Sequence, residues 1–263
     1  MVFAHAGYFC PDDEREVEQQ EAQHNALTLL MEGKLHLAPL PTTSPIQVLD
    51  VCTGSGTWAI DVGLECPEWN VMGVDWSPIQ PNYLPANVSF QFDDMRRLPW
   101  YRSGCDYIHM RATIHTGCWK DFKAEAVEQA FESLQPGGWF ESHELGRLVD
   151  CDDGTLPAQS PLASWARILD RAGALKGQPR HVADKMVQWY REVGFVDVQQ
   201  RRLKMPIGGW PLDGQMKEIG YYWQVSLELG LESLSLRLLH EAFGWDLPKM
   251  MVGRAPRPPF LTL

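Results

Sequence analysis

An α/β fold with a mostly parallel, doubly wound sheet is predicted for this 263-residue chain by three observations. First, the run Val48-Leu-Asp-Val51 is short, apolar and β-branched, and a Gly54-x-Gly56 turn and an amphipathic stretch follow it directly. Strand, tight loop and helix in that order open a nucleotide-binding α/β unit, because glycine lets the backbone approach a ligand where a Cβ would clash. Second, further apolar runs recur at ordinary α/β spacing: Asn70–Asp75, a run opening at Val88, and one opening at Asp106. Third, Phe122, Ala126, Ala130, Phe131 and Leu134 mark one buried helix face, and Pro136-Gly-Gly138 breaks that helix ahead of a fifth strand, Trp139–Glu144. At this length one domain with a substantial core is expected.

The remaining elements follow in order. Asp13-x-x-Glu16 forms a capping box that opens a helix reaching Met31, with an acidic first half and a packing face only from Ala26 onward. Gly33 ends it before the Pro-rich link of residues 38–45. Residues 1–45 are thus a helical extension, either a lid over a ligand or an ordinary docking helix, ahead of a ligand-binding core over 46–205. Within that core, helices near Leu162–Ala172 and Val182–Val193 precede a sixth strand over Phe195–Met205. Residues 206–247 read as a helical insertion, and 248–263 as a short last strand (Met250–Gly253) and tail. Without that last strand the sixth would be an open edge, able to pair with a second copy in a homodimer.

The glycine turn by itself does not name the ligand. Gly54-x-Gly56-x-x-Ala59 fits the loose dinucleotide fingerprint, and Asp75 follows Gly56 by 19 residues, where a ribose-binding acid belongs. The acid before the turn decides between ligands. Asp50 would repel a pyrophosphate, whereas it suits a ligand carrying an amino group and a sulfonium, which describes S-adenosylmethionine.

At this point the sequence resembles the class I methyltransferases that use S-adenosylmethionine, with Cys52 at the first glycine position of their motif. Gln23-His24, Gly33–Pro39, Asp75–Pro81, Ile108–Arg111, Leu134–Glu141 and Pro206–Pro211 narrow the resemblance to the fungal LaeA-like methyltransferases, over residues 8 to 246. It implies a Rossmann-like class I methyltransferase fold with an N-terminal helical extension and an abbreviated C-terminus. It implies S-adenosylmethionine as cofactor, held by Asp50, Thr53, Gly54, Gly56, Asp75 with Trp76, and Asp94 with Met95 at the base. The backbone at Met110 and Arg111 would wall the methionine end. The family contains small-molecule methyltransferases of secondary metabolism and regulators of such gene clusters.

Composition narrows the partners. A formal charge of −11 and a pI near 5.2 would repel a nucleic acid, and no uncharged run reaches membrane-spanning length. Six scattered cysteines with no Cys-x-x-Cys or zinc spacing point to reduced thiols, a cytoplasmic or nuclear location and no metal centre. Trp58, Trp76, Trp100 and Trp119 gather beside the proposed ligand loops and would suit a flat or greasy small-molecule substrate.

An oxygen acceptor must lose its proton during methyl transfer, and histidine is the usual base. His115 after strand four and His143 at the end of strand five fall on the carboxyl edge of the sheet, where ligands bind in this fold class. His109 is expected in the strand core, and His24 within reach of the site from the N-terminal helix. Glu141 and Glu144 flank His143, either orienting it or facing solvent. The expected activity is O-methylation of a small molecule. The rivals are a methyltransferase fold turned to cyclisation or pericyclic chemistry, and a regulatory protein acting through partners.

Overall fold

A computed structural model describes residues 12–246, apart from 98, 101–103 and 179. Five strands, β1 (Gln47–Val51), β2 (Asn70–Asp75), β3 (Val88–Phe92), β4 (Cys105–Arg111) and β5 (Leu134–His143), form one parallel sheet in the order β3-β2-β1-β4-β5. The chain leaves β1 toward β2 on one side and returns to β4 on the other, so the switch point lies between the carboxyl ends of β1 and β4. That crevice is where a doubly wound sheet binds its ligands.

Alternation along the strands separates two apolar layers. Val48, Val71, Val88 and Tyr107 face α2 (Thr57–Glu65) and the link that carries Leu35 and Ala38. Leu49, Val51, Val74, Ile108 and Met110 face the opposite layer, where α3 (Glu128–Ser133) and α5 (Ala183–Val193) pack. A third cluster is mostly helical. It joins α1 (Glu14–Leu30), α4 (Pro161–Leu175) and the 30-residue α6 (Gly214–Phe243) through Ala26, Trp165, Leu169, Trp223, Leu227 and Leu238.

Local chemistry accounts for the helix limits. Asp13 accepts a hydrogen bond from the Glu16 amide at 3.1 Å, Ser160 does so for Ala163, with Pro161 in the first turn, and Asp213 does so for Met216. Gly194 and Gly244 close α5 and α6 at φ +121 and +68.

Three expectations change. Phe195–Met205 joins no ladder among the described residues; Asp197 turns into the left-handed region at φ +53, and Phe195 folds in against Phe131, Phe140 and Tyr190. The helix over 122–134 begins as a π-helical turn, Lys123–Val127, and stops at Ser133. Leu134 already starts β5, which absorbs Pro136-Gly-Gly138 through a register irregularity opposite Cys105 and Tyr107, and Phe131 stays largely exposed. The acidic half of α1 also packs: Glu16 and Ala22 are buried, and Gln19 donates to Ser226 of α6. The expected last strand, Met250–Gly253, lies outside the described residues. Among the described residues, no helix is long and apolar enough to cross a membrane.

Candidate functional site

Two chambers meet at the carboxyl edge of the sheet. The larger, an open cleft of about 970 Å³, runs from the glycine loop to the helical cap. The smaller, about 380 Å³, is lined by Trp76, Asp93, Asp94, Met95, Arg96 and Trp119. Cys52, Asp75 and Cys118 line both and mark the junction. Cys52, at the first glycine position of the motif the sequence resembles, adopts φ +57, in the left-handed region that favours glycine. Its thiol meets that of Cys118, and this contact, with burial, pushes Cys52 well above the ordinary thiol value. None of the five cysteines among the described residues forms a disulfide.

The glycine loop is tightly built. Gly56, at φ +80, lies so close to Phe90 that a Cβ would approach its ring to 2.3 Å. The loop amides are already engaged within the protein. Gly54 donates to Asp75 at 2.8 Å, and Ser55 donates to Gln20 of α1 at 2.6 Å. Asp75 also accepts from the Ser77 amide at 2.8 Å, yet burial outweighs both bonds and raises its carboxyl to about 6. Of the expected nucleoside contacts, Trp76, Asp94 and Met95 line the smaller chamber together. Asp94 is bound there by Arg96 at 2.8 and 3.2 Å, and the Arg96 guanidinium lies 4.5 Å over the Trp76 ring.

At the other end, Asp50 accepts from Thr53 at 2.5 Å and contacts His109 Nδ1 at 2.7 Å. Burial raises the Asp50 carboxyl to about 7. Arg111 lines the cleft and donates to His24 Nδ1 at 2.9 Å, while its Nη1 is buried without a partner. His24 in turn reaches Asp61 of α2 at 3.0 Å, so α1 is pinned to the sheet edge. The Met110 side chain packs in the core of the opposite layer.

The two candidate bases part company. His115 sits on the cleft wall, buried, with neither ring nitrogen bonded, and burial holds its pKa well below the usual imidazole value. His143 does not line the cleft. Its Nε2 lies 2.6 Å from Glu141 and its Nδ1 3.5 Å from His109 Nε2. Glu141 is held near pH 2 against the cost of its burial, through His143, the Leu37 and Ala38 amides and the Tyr107 hydroxyl. Glu144 points elsewhere, accepting from Thr113 and Ile114, and burial raises it to about 7.

Sequence reasoning missed His109, which stacks on Trp58 at 3.6 Å and bonds Asp50 instead of merely filling the core. The available signal was the pairing need itself: a histidine inside a buried strand demands a polar partner. It also missed Glu16, Gln19 and Gln20 of α1 on the cleft wall, a long-range placement that helix periodicity does not carry.

Comparison with known proteins agrees with this geometry. Residues 22–200 match a methyltransferase domain family. The chain is 36% identical to methyltransferase pytC of Aspergillus terreus, over 92% of this chain and 74% of the relative. It is 32% identical to the secondary metabolism regulator LAE1 of Cochliobolus heterostrophus, over 91% of this chain and 79% of the relative. Among solved structures, a phosphoethanolamine N-methyltransferase of Haemonchus contortus, in complex with S-adenosyl-L-methionine, shares the fold. It superposes with a TM-score of 0.51 at 18% identity, covering 84% of this chain and 47% of that one. The chain belongs to the fungal LaeA-like family of class I, S-adenosylmethionine-dependent methyltransferases.

Proposed function

We propose that this protein binds S-adenosylmethionine across the two chambers and methylates an oxygen of an uncharged, largely apolar small molecule. The donor set fits the cofactor. Trp76, Asp94 and Met95 would hold the base, Asp75 the ribose hydroxyls, and Asp50 the amino group, while the unpartnered Arg111 Nη1 offers a donor to its carboxylate. Bound there, the cofactor supplies a methyl already activated by the sulfonium. What the protein adds is alignment of the acceptor.

The acceptor end of the cleft is walled by Leu145, Leu148, Trp223, Leu227 and Leu234, with the uncharged polar groups of Gln23, Ser226 and Ser233 between them. Such a wall favours an aromatic or polyketide-like compound over a charged one. The observation that carries O-methylation is His115: an imidazole on the cleft wall whose two ring nitrogens are buried without a partner and whose burial favours the neutral form a base needs. His143, tied to Glu141 and His109, is not proposed as the base.

Purified protein is assayed with S-adenosylmethionine against phenols and enols, by product mass. A gain of one methyl is expected, and His115→Ala should lower turnover by about 10²–10⁴-fold, the usual worth of a general base, with cofactor affinity unchanged. Full activity in that variant would remove the base assignment. The name of the LAE1 relative favours a second reading, regulation of secondary metabolism; cofactor binding without turnover of any small molecule would support it.

A further inference from the structure

A chain of four buried or half-buried side chains, Asp50, His109, His143 and Glu141, runs from the cleft across β1, β4 and β5. Its links measure 2.7, 3.5 and 2.6 Å. Asp50 and His109 are register partners on adjacent strands, and His109 cannot swing away because Trp58 stacks on its ring at an interplanar angle of 10°. At the far end Glu141 is clamped by two amides and a phenol.

With His109 kept neutral by its burial and Glu141 ionised, hydrogen-bond accounting leaves two complete arrangements, both holding three protons in the three links. In one, Asp50 is protonated and donates to His109 Nδ1, His109 Nε2–H donates to His143 Nδ1, and His143 Nε2–H donates to Glu141. In the other, each of the first two protons has moved one step along. Asp50 is then a carboxylate accepting from His109 Nδ1–H, and His143 is an imidazolium between His109 and Glu141. No proton enters or leaves, and His109 is neutral in both, changing only its tautomer. We infer that these four residues form a proton relay that makes Asp50 anionic when a cationic group enters the cleft, storing the displaced proton on His143 beside Glu141.

The surroundings favour this division. Arg111 on β4 and His24 on α1 bear on both Asp50 and His109, and Asp61 on α2 offsets Arg111; all remain outside the relay. Burial disfavours charge on Asp50 and on His109 alike, so an empty cleft keeps the proton on Asp50. Glu141 stays ionised in either arrangement, which makes His143 the place where a positive charge is best tolerated. His143 and Glu141 are therefore positioning residues. They act on the cofactor through His109 and Asp50.

The inference rests on the proposed placement of the cofactor's amino group at Asp50, and the test separates the two. The His143 ring nitrogens are followed by ¹⁵N NMR in the intact protein at pH 6 during titration with S-adenosylhomocysteine, which carries the ammonium, and with methylthioadenosine, which lacks it. Conversion of His143 to imidazolium with the first ligand only, with no proton released to buffer in calorimetry, is expected. His143→Gln cannot store the proton, so its binding should release one to buffer at pH 6 and weaken about tenfold from pH 8 to pH 6, since Asp50 titrates near 7. A His143 that stays neutral while S-adenosylhomocysteine binds tightly would overturn the relay. Failure of Asp50→Asn to weaken binding of S-adenosylhomocysteine would overturn the placement of the amino group instead.

Discussion

At the scale of single residues, the site depends on positions where one atom more or one charge less is felt. Gly56 combines φ +80 with a phantom Cβ 2.3 Å from the Phe90 ring, so Gly56→Ala must both strain the loop and displace an aromatic ring. A loss of roughly 1–3 kcal/mol in stability is expected, checked by urea unfolding. Asp75→Ala should weaken S-adenosylmethionine binding by about 1–3 kcal/mol, measured by calorimetry on variant shown to be folded, because polar ligand groups would lose their acceptor. The turnover of His115-dependent chemistry should hold its plateau below pH 6.5, since burial and the nearby Arg180 and His181 depress that imidazole; an acidic limb above that value would place the base elsewhere. Asp50, Asp75 and His115 were legible in the sequence because each ends or follows a strand, where chain direction alone decides what reaches the crevice. The partnership of Asp50 with His109 was not, since it depends on the register of β1 against β4, which no local pattern states.

At the scale of elements, α1 and α6 close the helical side of the cleft together. Arg15 pairs with Glu232 at 3.0 Å, and Gln19 donates to Ser226 at 2.7 Å, so the polar half of α1 is committed to α6 and to the glycine loop through Gln20. Hydrophobic periodicity found the helix and its cap but hid this face, which is made of glutamines and a buried glutamate. The segment 206–210 lies so tightly on α6 that a Cβ on Gly220 would meet the Gly208 carbonyl oxygen at 2.1 Å. Backbone cannot yield as a flexible side chain does. Gly220→Ala should therefore lower the melting temperature by several degrees, at about 2–4 °C per kcal/mol for a domain of this size, a shift that calorimetric scanning would detect. The sixth strand was misread for a different reason. Phe195 and Val198 have strand composition, but the left-handed turn at Asp197 and the aromatic cluster around Phe195 give that segment a better use than a ladder.

At the scale of the whole molecule, buried acids and histidines together set the pH dependence of stability. Asp50, Asp75 and Glu144 are raised to about 7, 6 and 7 by burial, so the folded state binds more protons than the unfolded one between their ordinary values and these. Their stabilising contribution is complete below about pH 4 and is lost as pH rises toward 7. Glu141, held near 2, acts with the opposite sign: its contribution is present above about pH 4.5 and is lost as pH falls through 2. His24, His109 and His115, depressed by burial, oppose this loss up to about pH 6.5, the ordinary imidazole value. Stability of the ligand-free protein should therefore fall from about pH 6.5 to pH 7.5, and Glu144→Gln should flatten that fall; equal slopes in the two proteins would deny Glu144 its share. The parallel, doubly wound character of the sheet was readable from the chain, because strand, loop and helix follow in turn around Gly54 and Gly56; the order β3-β2-β1-β4-β5 was not, since among the described residues no helix joins β2 to β3 or β3 to β4. The helical cap was less so, since its packing joins residues more than 200 positions apart.

The paired thiols at the junction of the chambers give the cleft a built-in clock. An alkylating reagent needs a thiolate, and Cys52 is held as a thiol by its neighbour, by burial and by the charges of Asp75 and Glu144. Maleimide should therefore label it slowly at neutral pH and faster as alkalinity rises. Because the same sulfur borders both chambers, a molecule filling either one shields it, and the labelling half-time becomes a direct measure of how often the cleft stands open.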